Sequence, residues 1–102
     1  MTEKKFFELV KKLVTDYTNE HLDKSDGKQI SPDDVYVVWY CKTLKNWKAL
    51  ASTTLFDGMY YELTLNGDKQ EIYLDAYKKF ENRAIKVEGG LWRTSRSGLA
   101  IC

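Results

Sequence analysis

Cysteine is nearly missing from this chain. Cys41 sits in an apolar run and Cys102 is the last residue, which offers neither a disulfide framework nor a paired metal-ligand knuckle and fits a reducing cytoplasm. Histidine and proline occur once each, as His21 and Pro32. A Ser/His/Asp or Cys/His catalytic set would have to run through His21, yet a histidine at the end of a helix is placed to face the negative end of the dipole as a surface or capping group. Cys41 reads as a small buried hydrophobe rather than a nucleophile. No enzymatic activity is expected. The glycines of Asp57-Gly58, Asn66-Gly67 and Gly89-Gly90 do not lead into a Lys-Ser/Thr at a helix start, so no phosphate loop is present. Asp23, Asp26, Asp33 and Asp34 flank a loop without the alternating ligands and terminal Glu of an EF-hand, and read as a solvated turn. Neither a metal nor a cofactor is expected.

Long apolar runs are lacking too. None approaches the roughly 18 residues of a membrane-spanning helix, and Met1-Thr2-Glu3-Lys4-Lys5 leads into an amphipathic segment rather than a signal core. The expectation is a cytoplasmic protein with no membrane contact. Nor is there a charge excess, since 16 Lys+Arg against 15 Asp+Glu leave a net charge of +1. With the signs interleaved, as in Lys78-Lys79-Phe80-Glu81, no global field draws the chain to nucleic acid or an anionic surface.

What is present is aromatic. In 102 residues, 43% are hydrophobic and 14% aromatic, with seven Tyr and three Trp among them. That supports one compact core and leaves many large side chains whose polar tips need water or a partner. Phe6, Leu9, Val10, Leu13 and Tyr17 fall at helical spacing, predicting an amphipathic helix from Thr2 to about His21. Ser25-Asp26-Gly27 and Ser31-Pro32-Asp33-Asp34 mark a loop. Val35-Tyr36-Val37-Val38-Trp39-Tyr40-Cys41 is the strongest strand signal and is expected at the centre of a sheet. A tight connection at Lys45-Asn46 leads into a second strand over Trp47–Leu55. Asp57-Gly58 and Asn66-Gly67 are expected as two-residue type I′ hairpin turns bracketing a strand from Met59 to Leu65. After a short strand near Lys69–Ile72, the positions Tyr73, Ala76, Tyr77, Phe80 and Ala84 predict a second amphipathic helix. The resulting fold class is α+β: an N-terminal helix, a three- to four-stranded antiparallel meander and a C-terminal helix on the same sheet face. Residues 1–88 form one domain, and residues 89–102 are a tail without a core pattern, disordered or a cloning remnant.

The stretches Asp34-Val35-Tyr36-Val37-Val38-Trp39-Tyr40-Cys41-Lys42-Thr43-Leu44, Asn46-Trp47-Lys48-Ala49-Leu50 and Asp57-Gly58-Met59-Tyr60-Tyr61-Glu62 resemble a family of small uncharacterised proteins of bacteriophages and prophages of Gram-positive bacteria. The resemblance continues through Tyr73-Leu74-Asp75-Ala76-Tyr77-Lys78-Lys79-Phe80-Glu81-Asn82 to about Val87. It implies a short phage gene product made in the host cytoplasm, without an assigned activity or site.

If the first strand alternates faces regularly, Tyr36, Val38 and Tyr40 share one face and Val35, Val37, Trp39 and Cys41 the other. Two short helices cannot bury both, so one aromatic face needs cover. It either completes the core and a homodimer interface or forms a recognition surface of Tyr36, Tyr40 and Trp47 bordered by Lys42, Lys45 and Lys48. Three binding functions are compatible with that set. The first is a module that inhibits or redirects a host or defence protein through Tyr/Trp anchors. The second is single-stranded nucleic-acid binding by stacking and lysine–phosphate contacts. The third is sequestration of a small nucleotide signal in an aromatic pocket.

Overall fold

The computed structural model describes residues 1–22 and 29–87. Helix α1 spans Glu3–His21 and begins where the sequence places it, with Thr2 as N-cap. The Thr2 hydroxyl accepts from the Lys5 backbone N–H at 3.2 Å, satisfying one of the helix's orphan donors. The buried stripe is Phe6, Val10, Val14 and Thr18, a run of i, i+4 steps, with Thr15 beside it. Phe7, Leu13 and Tyr17 flank it as half-buried shoulders, whereas Leu9 takes no part in the core. Thr15 is tolerated because its hydroxyl donates to the Lys11 carbonyl at 2.6 Å.

The chain's return from the helix is pinned by one side chain. Asn19 donates from Nδ2 to the Ile30 carbonyl at 3.0 Å and accepts from the Ile30 N–H at 2.9 Å. A 3-10 turn at Pro32–Asp34 follows, in which Asp34 accepts from the Ser31 N–H at 3.0 Å. It delivers the chain into a four-stranded antiparallel meander in sequence order: β1 (Val35–Thr43), β2 (Asn46–Thr53), β3 (Met59–Asn66) and β4 (Glu71–Lys78). The protein is thus α+β, one N-terminal helix on one face of a four-stranded sheet.

The register explains the composition of β2. On the covered face Ala49 lies between Tyr40 and Leu63, and Ala51 between Val37 and Tyr61. Both alanines are fully buried, and a helix can approach a sheet closely over such short side chains. Phe6 packs against Trp47 with ring centroids 5.1 Å apart, and Tyr17 meets Tyr61 edge-on at 5.6 Å. Each fully buried Phe, Leu or Val of this layer contributes about 1.5–3 kcal/mol relative to exposure.

Four sequence expectations are corrected. Among the described residues no C-terminal helix follows Tyr73: Glu71–Lys78 is β4, and residues 79–87 carry no regular structure. The spacing of Tyr73, Ala76, Tyr77 and Phe80 is helical only if the alternation of Ile72 and Leu74 with Tyr73 and Asp75 is ignored; cross-strand pairing with β3 follows the alternation. The short strand near Lys69–Ile72 is instead the end of a turn running into β4. The strand of Val35 is an edge strand rather than the central one, because a simple meander leaves its first strand with a single neighbour. Finally, neither glycine turn is a two-residue hairpin. Asp57-Gly58 closes a longer connection from Thr53 to Met59, with only Gly58 left-handed at φ 71°. At the next turn Asn66 Oδ1 accepts from the N–H of Asp68 and of Lys69, and Gln70 takes the left-handed conformation. Gly67 is required by proximity instead, since a Cβ there would lie 2.2 Å from the Lys45 carbonyl oxygen. The tail of residues 89–102 lies outside the described residues, as do Asp23 and Asp26.

Candidate binding surface

A β-bulge decides which side chains share a face. The β1–β2 register slips between Val37 and Trp39, leaving Val38 unpaired. Before the bulge Val35 and Val37 face the helix; after it Tyr40 and Lys42 do. The regular alternation that groups Tyr36, Val38 and Tyr40 is therefore overturned, and no glycine marks the bulge in the sequence. On the face that no helix covers among the described residues stand Tyr36, Trp39 and Cys41.

The six expected binding residues divide accordingly. Tyr40, Lys42 and Trp47 lie on the covered face at the N-terminal end of α1. Tyr40 stands edge-on to Phe7 at 4.8 Å and donates its hydroxyl to Glu3, a bond that raises its pKa above the ordinary tyrosine value. Trp47 is only 6% exposed, with the Lys42 ammonium 5.6 Å from its ring centroid. Lys45 occupies the β1–β2 turn, 3.6 Å from Asp68. Lys42, Lys45 and Trp47 do share one feature, an open cleft of about 330 Å³ completed by Met1, Leu44, Leu65, Gly67 and Gln70. Tyr36 and Lys48 are on the opposite face. His21 is a surface group whose Nδ1 donates to the Tyr17 carbonyl at 2.8 Å while its ring stacks on Tyr17.

The uncovered face follows from the register as three cross-strand rows. Tyr36, Ser52, Tyr60 and Tyr77 form the first; Trp39, Leu50, Glu62 and Asp75 the second; Cys41, Lys48, Thr64 and Tyr73 the third. Trp39 and Tyr36 are 44% and 48% exposed, and Tyr73 and Tyr77 44% and 52%. This is an aromatic surface with a charged centre, where Lys48 reaches Glu62 at 3.4 Å. The negative charge of Glu62, then that of Asp75, raises the pKa of Tyr77. Alternation along the third strand sets Tyr60 and Tyr61 on opposite faces, as the register does, but sequence reasoning missed Trp39, Tyr73 and Tyr77 as members of this surface. The alternation of β4 could have found the last two, but the bulge hid Trp39.

The two edges of the sheet differ. Along β4, Glu71, Asp75 and Lys78 interrupt the apolar residues, the usual protection of an open edge. Along β1 the first charge is Lys42, and Tyr36, Val38 and Trp39 are exposed, so the bulge is the main feature blunting it.

A family model described as a family of unknown function, DUF6275, matches residues 7–87. The chain belongs to that family. The match takes in nearly all of α1 and the entire sheet, both faces included, so this DUF6275 protein carries its aromatic surface within the family's domain. No curated protein and no solved structure matches it. Among the described residues, no helix is long and apolar enough to cross a membrane, and no cluster of His, Cys, Asp and Glu has the makings of a metal site.

Proposed function

We propose that this DUF6275 protein is a small phage-encoded, non-enzymatic binding protein that acts in the bacterial cytoplasm by inhibiting or redirecting a host or defence protein. The observation that carries this reading is the β1 edge, uncharged from Val35 to Cys41 and continuous with the uncovered aromatic face through Tyr36 and Trp39. Tyrosine and tryptophan are among the residues that most often anchor protein interfaces, and an edge strand without charges offers backbone groups to an added strand on either side of its bulge. The phage context rests on the sequence resemblance. Single-stranded nucleic acid is a weaker reading: Trp47 leaves little ring for a base to stack on, and Glu62 and Asp75 oppose phosphates on the face where Tyr36 and Lys48 stand.

The test is affinity capture from a host lysate with the unmodified chain and with Val38→Lys/Trp39→Lys. Both positions are exposed, so the variant should unfold at an unchanged midpoint. A stoichiometric protein partner retained by the first and lost by the second is the expected result. Partner capture that the edge substitutions leave intact would remove β1 from the interface, and no stoichiometric partner would sink the reading.

A further inference from the structure

Among the described residues, the middle of the uncovered face holds two carboxylates and one cation. Glu62 and Asp75 stand directly opposite each other on β3 and β4, an arrangement that is destabilising for like charges. Lys48 offsets one of them, at 3.4 Å from Glu62. Among the described residues Asp75 makes no ion pair. On one side of this pair lies the row containing Tyr60 and Tyr77, on the other the row ending in Tyr73; within the pair's own row stand Leu50 and Trp39. Rings, carboxylates and an apolar flank thus share one patch.

Resting on the reading that the sheet takes a protein partner, we infer that the uncovered face docks a cationic protein segment, its arginine or lysine held by Glu62 and Asp75 among Tyr60, Tyr73 and Tyr77, and its neighbouring apolar residue on Leu50 and Trp39. Arginine suits the site best, because a planar guanidinium can stack on a tyrosine ring and bond a carboxylate through two N–H groups at once. The raised pKa of Tyr77 reflects the same negative field. A second copy of this face would bring two more carboxylates and one more lysine, adding to the surplus instead of cancelling it. A phosphate-bearing chain would meet it head-on. The apolar contact and the cation should stand about 10 Å apart in the partner, the distance across two strand spacings from Leu50 to Asp75.

Titrating the isotopically labelled protein with acetyl-Leu-Trp-Arg-Leu-amide and, separately, with acetyl-Leu-Trp-Glu-Leu-amide tests this by amide chemical shift. The arginine peptide should saturably shift Tyr60, Glu62, Asp75 and Tyr77, and the glutamate peptide should not. Glu62→Gln/Asp75→Asn should weaken the arginine peptide about tenfold or more while leaving the thermal midpoint unchanged or raised, since it relieves a repulsion. Full affinity in that variant overturns the inference, as does silence toward both peptides. Shifts confined to β1 and equal for the two peptides overturn the cation preference but leave the protein-binding reading standing. A dimer whose dissociation moves these same amides assigns the face to a second copy and also overturns it.

Discussion

Tyr60 and Tyr61 are neighbours in β3, yet Tyr61 is 2% exposed beneath α1 while Tyr60 is half-buried on the face that, among the described residues, no helix covers. On the covered side an aromatic ring meets alanines, aliphatics and other rings: Tyr61 lies between Ala51 and Ala76 and touches Tyr17. On the other side rings alternate with serine, glutamate, aspartate and lysine. Aromatic content by itself therefore does not distinguish core from surface here. The company each ring keeps does, and that company is set by strand register.

The largest expected effect separates the two faces directly. Tyr61→Ala should cost about 3–5 kcal/mol of unfolding free energy, the range for emptying a buried large aromatic site. Tyr77→Ala, on the uncovered face, should stay within about 0.5 kcal/mol. Urea denaturation of the two variants beside the unmodified protein measures both. Similar losses would mean that the uncovered face is a second core, covered in solution, and would break the comparison.

A smaller effect appears in alkali. Burial raises the Tyr61 pKa, against the opposing influence of the hydrogen bond from Thr18. The folded state then holds the phenolic proton more tightly than the unfolded chain, whose tyrosines titrate near pH 10. Below that pH both states are protonated and the contribution is fully present. As pH rises through the folded pKa the unfolded chain has already released its proton, and stability falls. Denaturation midpoints between pH 8 and pH 11, a window of about three units around the tyrosine value, should therefore drop at the alkaline end. Tyr61→Phe should make that drop shallower, and Tyr77→Phe should change it less because solvent screens an exposed ring. An equal change in both would show that the field around Glu62 and Asp75 matters as much as burial.

Legibility in the sequence follows the same division. The helix was readable to within a residue because Thr2 caps it and its apolar spacing has a single period. Strands β1 to β3 were readable from β-branched and aromatic runs, but β4 was not, since Tyr73, Ala76, Tyr77 and Phe80 fit a helical period as well as Ile72 and Leu74 fit a strand. Choosing between them takes the pairing partner, which is a property of β3. The surface was half legible: Tyr36 and Lys48 stand on it, but the bulge at Val38 carries Tyr40 and Lys42 to the other side, and an ordinary valine gives no local sign of a bulge. The turn glycines misled for a related reason. Gly67 is dictated by the backbone of Lys45, some twenty residues away in sequence and so invisible to any local pattern.

The smallest expected effect concerns an apolar side chain that belongs to neither face. Leu44 follows Thr43, which pairs with Asn46, so it begins a tight connection, and it adopts φ 58° while remaining 84% exposed. A left-handed backbone costs an L-residue with a full side chain on the order of 1 kcal/mol, and so exposed a leucine has little burial to set against it. Leu44→Asn should raise stability by about 0.5–1 kcal/mol, since asparagine tolerates this conformation. Leu44→Gly should gain less, because the extra freedom of glycine in the unfolded chain offsets part of the relief. Leu44→Val should lose stability, as a β-branched residue fits the left-handed region worst. Thermal denaturation of the three variants resolves the order Asn, Gly, unmodified, Val. If Leu44→Asn instead destabilises, the side chain holds the cleft beside Met1 and Trp47 together by contact, and the rule that apolar groups away from the covered face add little to stability fails at that position.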